Sequence, residues 1–259
     1  MKYFWDAEKK TKNKIFSKEK KLIFLDFDGT LVSIASTPDA VNLDPEIKKI
    51  LRNLSGTGHA RLVILSGRPL KELSAYLKMK NIILAGNHGL EIKGGGISLP
   101  ARAKQARRLR HFIGLVSQKF KIAFNYYSGV WIEDKKFTLS IHFRNLPVRE
   151  EATFRTLIRF FKQKYRRYPI IWTQGKKVVE IRPSIYWGKG ETVMYLLKKD
   201  RGALPMAIGD DQTDEDMFRV LKKIRNSVTI HVGRSKSSLA GYYLNSTKEV
   251  KEFLKKLCF

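Results

Sequence analysis

Two carboxylates close an apolar run near the start of the sequence. Residues 22–25 are Leu-Ile-Phe-Leu, followed by Asp26, Phe27, Asp28, Gly29 and Thr30. A short, continuous apolar run bounded by a turn predicts a strand buried on both faces, as in a parallel sheet. The acids then fall at the carboxyl end of that strand, where open α/β sheets place their ligands. One Asp-Gly pair after a strand is often only a turn former or a helix cap. Two Asp on alternate residues carry more information. Strand alternation aims Asp26 and Asp28 the same way, and two like charges so close are unfavourable unless a cation or a reacting group lies between them. A hard cation of the Mg²⁺ type, which prefers oxygen ligands, suits such a pair.

Three later clusters share this character. Ser66-Gly67-Arg68 follows the expected strand 61–65, Lys189 follows Trp187-Gly188, and Asp210-Asp211 follows the apolar run 206–209. Read as four strand ends of one sheet, they can bind Mg²⁺ and a phosphoryl group together. Carboxylates hold the metal, the metal and the Lys neutralise phosphate oxygens, and an Asp can attack phosphorus to give an aspartyl phosphate.

The elements that would position them alternate. After the first strand and a loop-like stretch at 31–43, Asp44-Pro45 opens a helix with Ile47, Ile50, Leu51 and Leu54 on one face. Strands are expected at 61–65 and 81–85, with a helix from Pro69 between them. This strand–helix alternation argues for a parallel α/β sheet. The pattern then changes to helix (104–120), hairpin (130–133 and 137–143), helix (150–165) and hairpin (170–173 and 177–181). That order is α+β, so residues 101–182 are expected to form a domain inserted between 1–100 and 183–259. The α/β pattern resumes with a helix at 189–198, strands at 206–209 and 228–232, and a terminal amphipathic helix around Val250, Phe253, Leu254 and Leu257. Residues 1–20 read as a Lys-rich lead-in with one short helix. Asp214, Glu215 and Asp216 read as the acidic first turn of a helix, which the helix dipole favours, with Asp214 also a candidate to stand behind the metal ligands. Trp131, Trp172 and Trp187 are expected in the core.

Asp26-Phe27-Asp28-Gly29-Thr30, Ser66, Lys189 and Gly209-Asp210-Asp211 resemble, in order, the four motifs of the haloacid dehalogenase-like phosphatases. Further stretches narrow the resemblance to the trehalose-6-phosphate phosphatase family: Ser66-Gly67-Arg68, Gly86-Asn87-His88-Gly89-Leu90-Glu91, Glu133-Asp134-Lys135, Val179-Glu180-Ile181-Arg182-Pro183 and Trp187-Gly188-Lys189-Gly190. The resemblance implies a Rossmann-like parallel sheet core with an inserted α+β cap domain that selects substrate. It implies a Mg²⁺-dependent phosphatase acting on trehalose 6-phosphate. Asp26 would be nucleophile and metal ligand. Asp28 would serve as general acid and then base, its carbonyl also on the metal, and Asp210 would complete the metal site with Asp211 behind it. Ser66 and Lys189 would hold phosphate oxygens. Glu133, Lys135 and Glu180 would bind sugar hydroxyls, with Arg68 and His88 lining the same cleft. Phe143 stands where the family commonly has Tyr. Sucrose phosphate and glucosylglycerol phosphate are the alternative substrates.

Composition sets outer bounds. The chain has 259 residues, 43% of them hydrophobic, enough for a packed core. Its single cysteine, Cys258, excludes an intrachain disulfide and points to a reducing, cytoplasmic setting. No apolar run is long enough to span a membrane, and Lys interrupts residues 1–21 too often for a signal peptide. The net charge of +27 admits nucleic acid as a partner. The cations are dispersed, with enrichments at 9–21, 102–110 and 162–167, and no nucleic-acid-binding motif accompanies them. The small sugar phosphate that the resemblance implies is the expected partner.

Overall fold

A computed structural model describes residues 1–33, 41–134, 138–175, 177–185 and 187–258. The chain divides into two compact units, Met1–Leu99 with Trp187–Phe259, and Pro100–Tyr186.

The first unit is built on an eight-stranded sheet. Its strands are β1 (Lys2–Tyr3), β2 (Lys21–Leu25), β3 (Ala60–Leu65), β4 (Ile82–Gly86), β5 (Glu91–Lys93), β10 (Leu204–Gly209), β11 (Val228–Val232) and β12 (Tyr242–Leu244). Their order is β1-β12-β11-β10-β2-β3-β4-β5, all parallel except that β5 runs against β4. The α/β class read from the alternation is the one observed. Order reverses at β2: the chain runs outward through β3 and β4 on one side and through β10, β11 and β12 on the other. Such a reversal leaves a crevice at the carboxyl ends of the strands.

Apolar residues face both ways along the central strands, because helices cover both sides. Ile23 and Leu25 of β2 join one core with Leu62, Ile64, Met206 and Ile208. Leu22 and Phe24 join the opposite core with Val63, Leu65 and Ala207. The first core is filled by α2 (Pro45–Gly56), α3 (Leu70–Leu77) and α8 (Thr247–Lys256). The second is filled by α6 (Lys189–Leu197) and α7 (Glu215–Leu221). Asp44 caps α2 as its sequence predicts, Oδ1 accepting from the Glu46 amide at 2.8 Å.

The lead-in holds more than the single helix expected of it, α1 (Lys9–Phe16). Lys2 and Tyr3 pair with Tyr242 and Tyr243 at the edge of the sheet. Phe4 is fully buried against Phe253, ring centroids 4.8 Å apart. Strands of two or three residues, such as β1, β5 and β12, are too short to leave a period in the sequence.

The second unit contains a separate four-stranded antiparallel sheet in the order β6-β7-β9-β8, formed by β6 (Trp131–Asp134), β7 (Leu139–His142), β8 (Ile170–Gly175) and β9 (Val178–Pro183). Leu139, Ile141, Val179 and Ile181 pack under α4 (Ala101–Ala123) and α5 (Val148–Lys164). This antiparallel sheet fits the α+β insert expected from the pattern. Trp172 and Trp187 lie in or against the cores, but Trp131 does not: it is 60% exposed and stacks on His142. It belongs to an edge strand, on the sheet face opposite the helices.

Burial of Phe4 gives the first test. Phe4→Ala should destabilise the protein by about 3 kcal/mol, in the range for emptying a buried aromatic site. Chemical denaturation followed by tryptophan fluorescence would show this as a lowered midpoint. An unchanged midpoint would mean that the lead-in adds nothing to the core.

Candidate active site

Four adjacent strands, β10, β2, β3 and β4, end in polar residues. Asp26 leaves β2 with its amide bonded to Ile208 O at 2.9 Å, so the neighbouring strand holds its backbone in place. Asp210 leaves β10. Its carboxylate is approached by Gly29, whose φ of +77° is the left-handed region that favours glycine. A Cβ at Gly29 would collide with the Asp210 carboxylate, and one at Gly209 with that of Asp214. Both glycines are therefore required by close approach.

Lys189 does not follow a strand; it is the first residue of α6. A cation there opposes the helix dipole, and this one is only 2% exposed. Its compensation is direct. Nζ donates to Asp26 Oδ1 and to Asp214 Oδ1, both at 2.7 Å. The other oxygen of Asp214 accepts from the amides of Asp210 and Asp211, at 3.0 and 3.1 Å. Asp214, fully buried, thus ties the loop after β10 to Lys189. Asp211 Oδ1 accepts in turn from Thr213 and from the Asp214 amide.

Reading Asp214 as part of an acidic first turn undervalues it. The available signal is its place four residues after Asp210, on a turn that leads into an apolar helix. That spacing returns a side chain to the backbone that precedes it.

The charges in this site do not balance. One oxygen from each of Asp26, Asp210 and Asp214 lies within 4.8 Å of the others. Fully ionised, these three and Asp211, 4.0 Å from Lys189, would set four negative charges against one ammonium, which suits a divalent cation with oxygen ligands. The carboxyl groups register the excess. Burial raises Asp26 to about 7 and Asp214 to about 8. Burial, reinforced by Asp214 and Asp211, raises Asp210 to about 6. Burial also works to lower Lys189, but the charges of Asp26 and Asp214 outweigh it and keep the ammonium protonated.

The Asp28 carboxylate lies outside this group. Arg68 grips it, Nε donating at 3.0 and 2.8 Å to its two oxygens and Nη2 at 2.7 Å to the first. Asp26 and Asp28 therefore face different cations, not one shared between them. Arg68 is itself braced by Glu72 and packs over the rings of Phe27 and Tyr76.

Ser66 follows β3, only 1% exposed, and its Oγ accepts from the Arg68 amide at 3.1 Å. His88 follows β4 in a left-handed conformation (φ 57°) and donates its amide to Ser66 O at 2.8 Å. Its ring covers Gly67, where an added Cβ would come within 2.9 Å of it. Within the first unit, Asp26, Asp210 and Lys189 thus form one cluster, and Arg68 links Asp28 to Ser66, which in turn accepts from the His88 amide.

In the second unit, Glu133 of β6 lies opposite Ser140 of β7, which lies opposite Glu180 of β9. Residues paired in this way share a sheet face, so Glu133 and Glu180 stand on one face, two strands apart. Glu133 also bonds to His142 Nε2 at 3.0 Å. Lys135 lies outside the described residues. Phe143 is buried, with Arg155 and Lys177 over its ring.

Comparison with known proteins gives one consistent result. A family model for trehalose-phosphatase matches residues 24–251. Trehalose 6-phosphate phosphatase RA3 of Zea mays is 34% identical over 254 residues, covering 91% of this chain and 69% of its own. The chain belongs to the trehalose-phosphatase family. Among solved structures, trehalose-6-phosphate phosphatase of Aspergillus fumigatus superposes with a TM-score of 0.72 at 25% identity, covering 97% of each chain. The C-terminal domain of the Candida albicans trehalose-6-phosphate phosphatase gives 0.65 at 26% identity, covering 96% of this chain and 95% of that one. The likeness extends over the α/β core and the separate antiparallel sheet, which fits a cap.

The raised carboxyl values define a second test. A carboxyl raised on folding binds its proton more tightly in the folded chain, so its contribution to stability is lost as pH rises through the folded value. A divalent cation replaces those protons. The rise in Tm on adding the cation should therefore grow from about pH 6 to pH 8, the range of the three groups. Thermal melts with Mg²⁺ and with EDTA would show it, and Asp210→Asn should abolish most of the difference. A cation effect independent of pH would place the ion elsewhere.

Proposed function

We propose that this chain hydrolyses trehalose 6-phosphate to trehalose and phosphate, through an aspartyl phosphate on Asp26. The observation that carries the reading is the buried Asp26–Lys189–Asp214 array at the carboxyl end of β2, in a chain of the trehalose-phosphatase family. Relatives named as trehalose 6-phosphate phosphatases supply the substrate.

The roles follow from position. Asp26, held by Lys189 and by its backbone bond to β10, presents a carboxylate oxygen to phosphorus. Lys189 then has a second task, neutralising phosphate oxygens beside Ser66. Asp28 protonates the leaving sugar oxygen and later takes a proton from the attacking water. A Mg²⁺ held by Asp26, Asp210 and the Asp28 carbonyl would stabilise charge on the transferring phosphoryl group. Asp214 positions Lys189 and the Asp210 amide. The second unit is the cap in this reading, with Glu133, Lys135 and Glu180 on sugar hydroxyls and Arg68 and His88 on the core side of the substrate.

Phosphate release from trehalose 6-phosphate should be fast with Mg²⁺ and lost with EDTA. Asp26→Asn should lower kcat by at least about a thousandfold while the circular dichroism spectrum stays unchanged. Full turnover in that variant would remove Asp26 as nucleophile. Parallel assays with sucrose 6-phosphate, glucosylglycerol phosphate and glucose 6-phosphate test the sugar: faster release from one of these would keep the chemistry and overturn the assigned substrate.

A further inference from the structure

Of the stretch 86–91, only His88 takes part in the proposed reaction, yet its last residue joins two loops of the site. Glu91 opens β5 and pairs with Gly86 at the end of β4. One oxygen of its carboxylate, Oε2, accepts two hydrogen bonds, from the Leu70 amide at 3.0 Å and from Asn87 Nδ2 at 2.7 Å. Leu70 begins α3 and Asn87 begins the turn after β4. A single oxygen therefore bridges the loops that follow β3 and β4.

Each donor depends on that oxygen. The residue before α3 is Pro69, whose side chain makes no capping bond, so the Leu70 amide takes its acceptor from β5. A carboxylate there also meets the positive end of the helix dipole. Asn87 and His88 both hold left-handed backbones, with φ of 50° and 57°. Residues other than glycine enter that region rarely and singly, so two in succession persist only where their surroundings hold them. Here Asn87 donates its amide to Arg68 O and His88 donates its own to Ser66 O, both at 2.8 Å. The two loops touch closely: a Cβ at Gly86 would come within 2.4 Å of the Leu70 nitrogen and 2.9 Å of Arg68 O. Asn87 is 2% exposed, and its Oδ1 has no hydrogen-bond partner among the described residues. A buried amide with an unmatched oxygen is unfavourable, so its place is explained by the bond its nitrogen makes to Glu91.

The contacts continue to the proton donor of the proposed reaction. Glu72 and Tyr76 on α3 brace the Arg68 guanidinium, and Arg68 grips Asp28. Ser66 is less dependent on the bridge, because its amide donates to Ala85 O.

We propose that Glu91 is a positioning residue for proton transfer. By joining the start of α3 to the Asn87 turn it fixes Arg68, and through Arg68 the Asp28 carboxyl that protonates the leaving sugar. The inference rests on the reaction assigned above. Its signature is dependence on the leaving group: a sugar alkoxide needs the acid, whereas p-nitrophenolate leaves without one.

Rapid-mixing measurement of the first turnover, with Mg²⁺ present, tests this on trehalose 6-phosphate and p-nitrophenyl phosphate. Glu91→Ala should slow trehalose release by roughly ten- to a hundredfold, the effect of a misplaced catalytic group. It should leave p-nitrophenolate release within about twofold. The ratio of the two rates does not depend on the fraction of the variant that folds. Glu91→Gln, whose amide oxygen can accept from both donors, should restore trehalose release. Asn87→Ala breaks one of the two bonds and should move the ratio in the same direction as Glu91→Ala. An unchanged rate with trehalose 6-phosphate in Glu91→Ala would overturn the proposal. An equal fall with both esters would also overturn it, marking Glu91 as a support for the fold alone. Failure of the substrate assignment shows separately, as p-nitrophenolate release without trehalose release from the unaltered chain. Hydrogen exchange at the Leu70 amide then decides: faster exchange in Glu91→Ala but not in Glu91→Gln upholds the bridge, and unchanged exchange in both removes it.

Discussion

A single buried ammonium organises the catalytic end of this protein. Lys189 stands between Asp26 and Asp214 with almost no contact with water. Removing such a cation would leave buried carboxylates facing one another, which is among the least favourable arrangements a protein interior can hold. Each part of the site is fastened to this centre. Asp214 draws the loop after β10 inward through two amides. Asp26 brings the end of β2. Two glycines, at 29 and 209, clear the space into which these acids pack. The helix that carries Lys189 is held by Glu191, whose side chain accepts from the Gly188 amide, and by the Trp187 indole, which donates to Gly89 O. Chemistry and stability therefore oppose each other here: the negative excess that would attract a cation also strains the fold until one arrives.

How far this could be read from residues alone depends on the range of the interaction. Strands buried on both faces announce themselves by apolar runs, and β2 and β3 lie within a residue or two of where such runs place them. Helix caps are equally local, as Asp44 shows. What the residues alone did not disclose is partnership across the fold. Asp26 and Asp28 are two residues apart and look like a pair, but their true partners, Lys189 and Arg68, come from distant elements. Asp214 looked like a helix-terminal acid because only the folded chain shows Lys189 beside it. Arg68, expected in the substrate cleft, also grips Asp28 with its guanidinium, a contact that only the folded chain shows. Edge strands as short as β1 arise from pairing and not from any pattern of their own.

Charge is distributed in opposite senses across the chain. Lys and Arg number 51 against 24 Asp and Glu, so most cations have no acid to meet. Asp26, Asp28, Asp210, Asp211 and Asp214 nonetheless gather where β2 and β10 end. An acidic recess in a basic chain produces a local field opposed to the global one. The global field draws phosphate esters toward the protein, and the recess accepts them only after its own charge has been met. The surplus basicity does not build the catalytic site.

The interrupted course of the first unit has a consequence for how the chain is made. Strand β2 is central in the sheet, yet one of its two neighbours, β10, pairs Leu204 with Lys21. As the chain leaves the ribosome, β2 can join β3 early, but its other edge stays bare until β10 emerges. The second unit, contiguous from Pro100 to Tyr186, is complete before then. It can fold first, while an apolar strand with an open hydrogen-bonding edge waits upstream. Such an edge invites pairing with another nascent chain. The lysines that flank β2 on its amino side, from Lys18 to Lys21, place like charges beside that edge and disfavour the encounter.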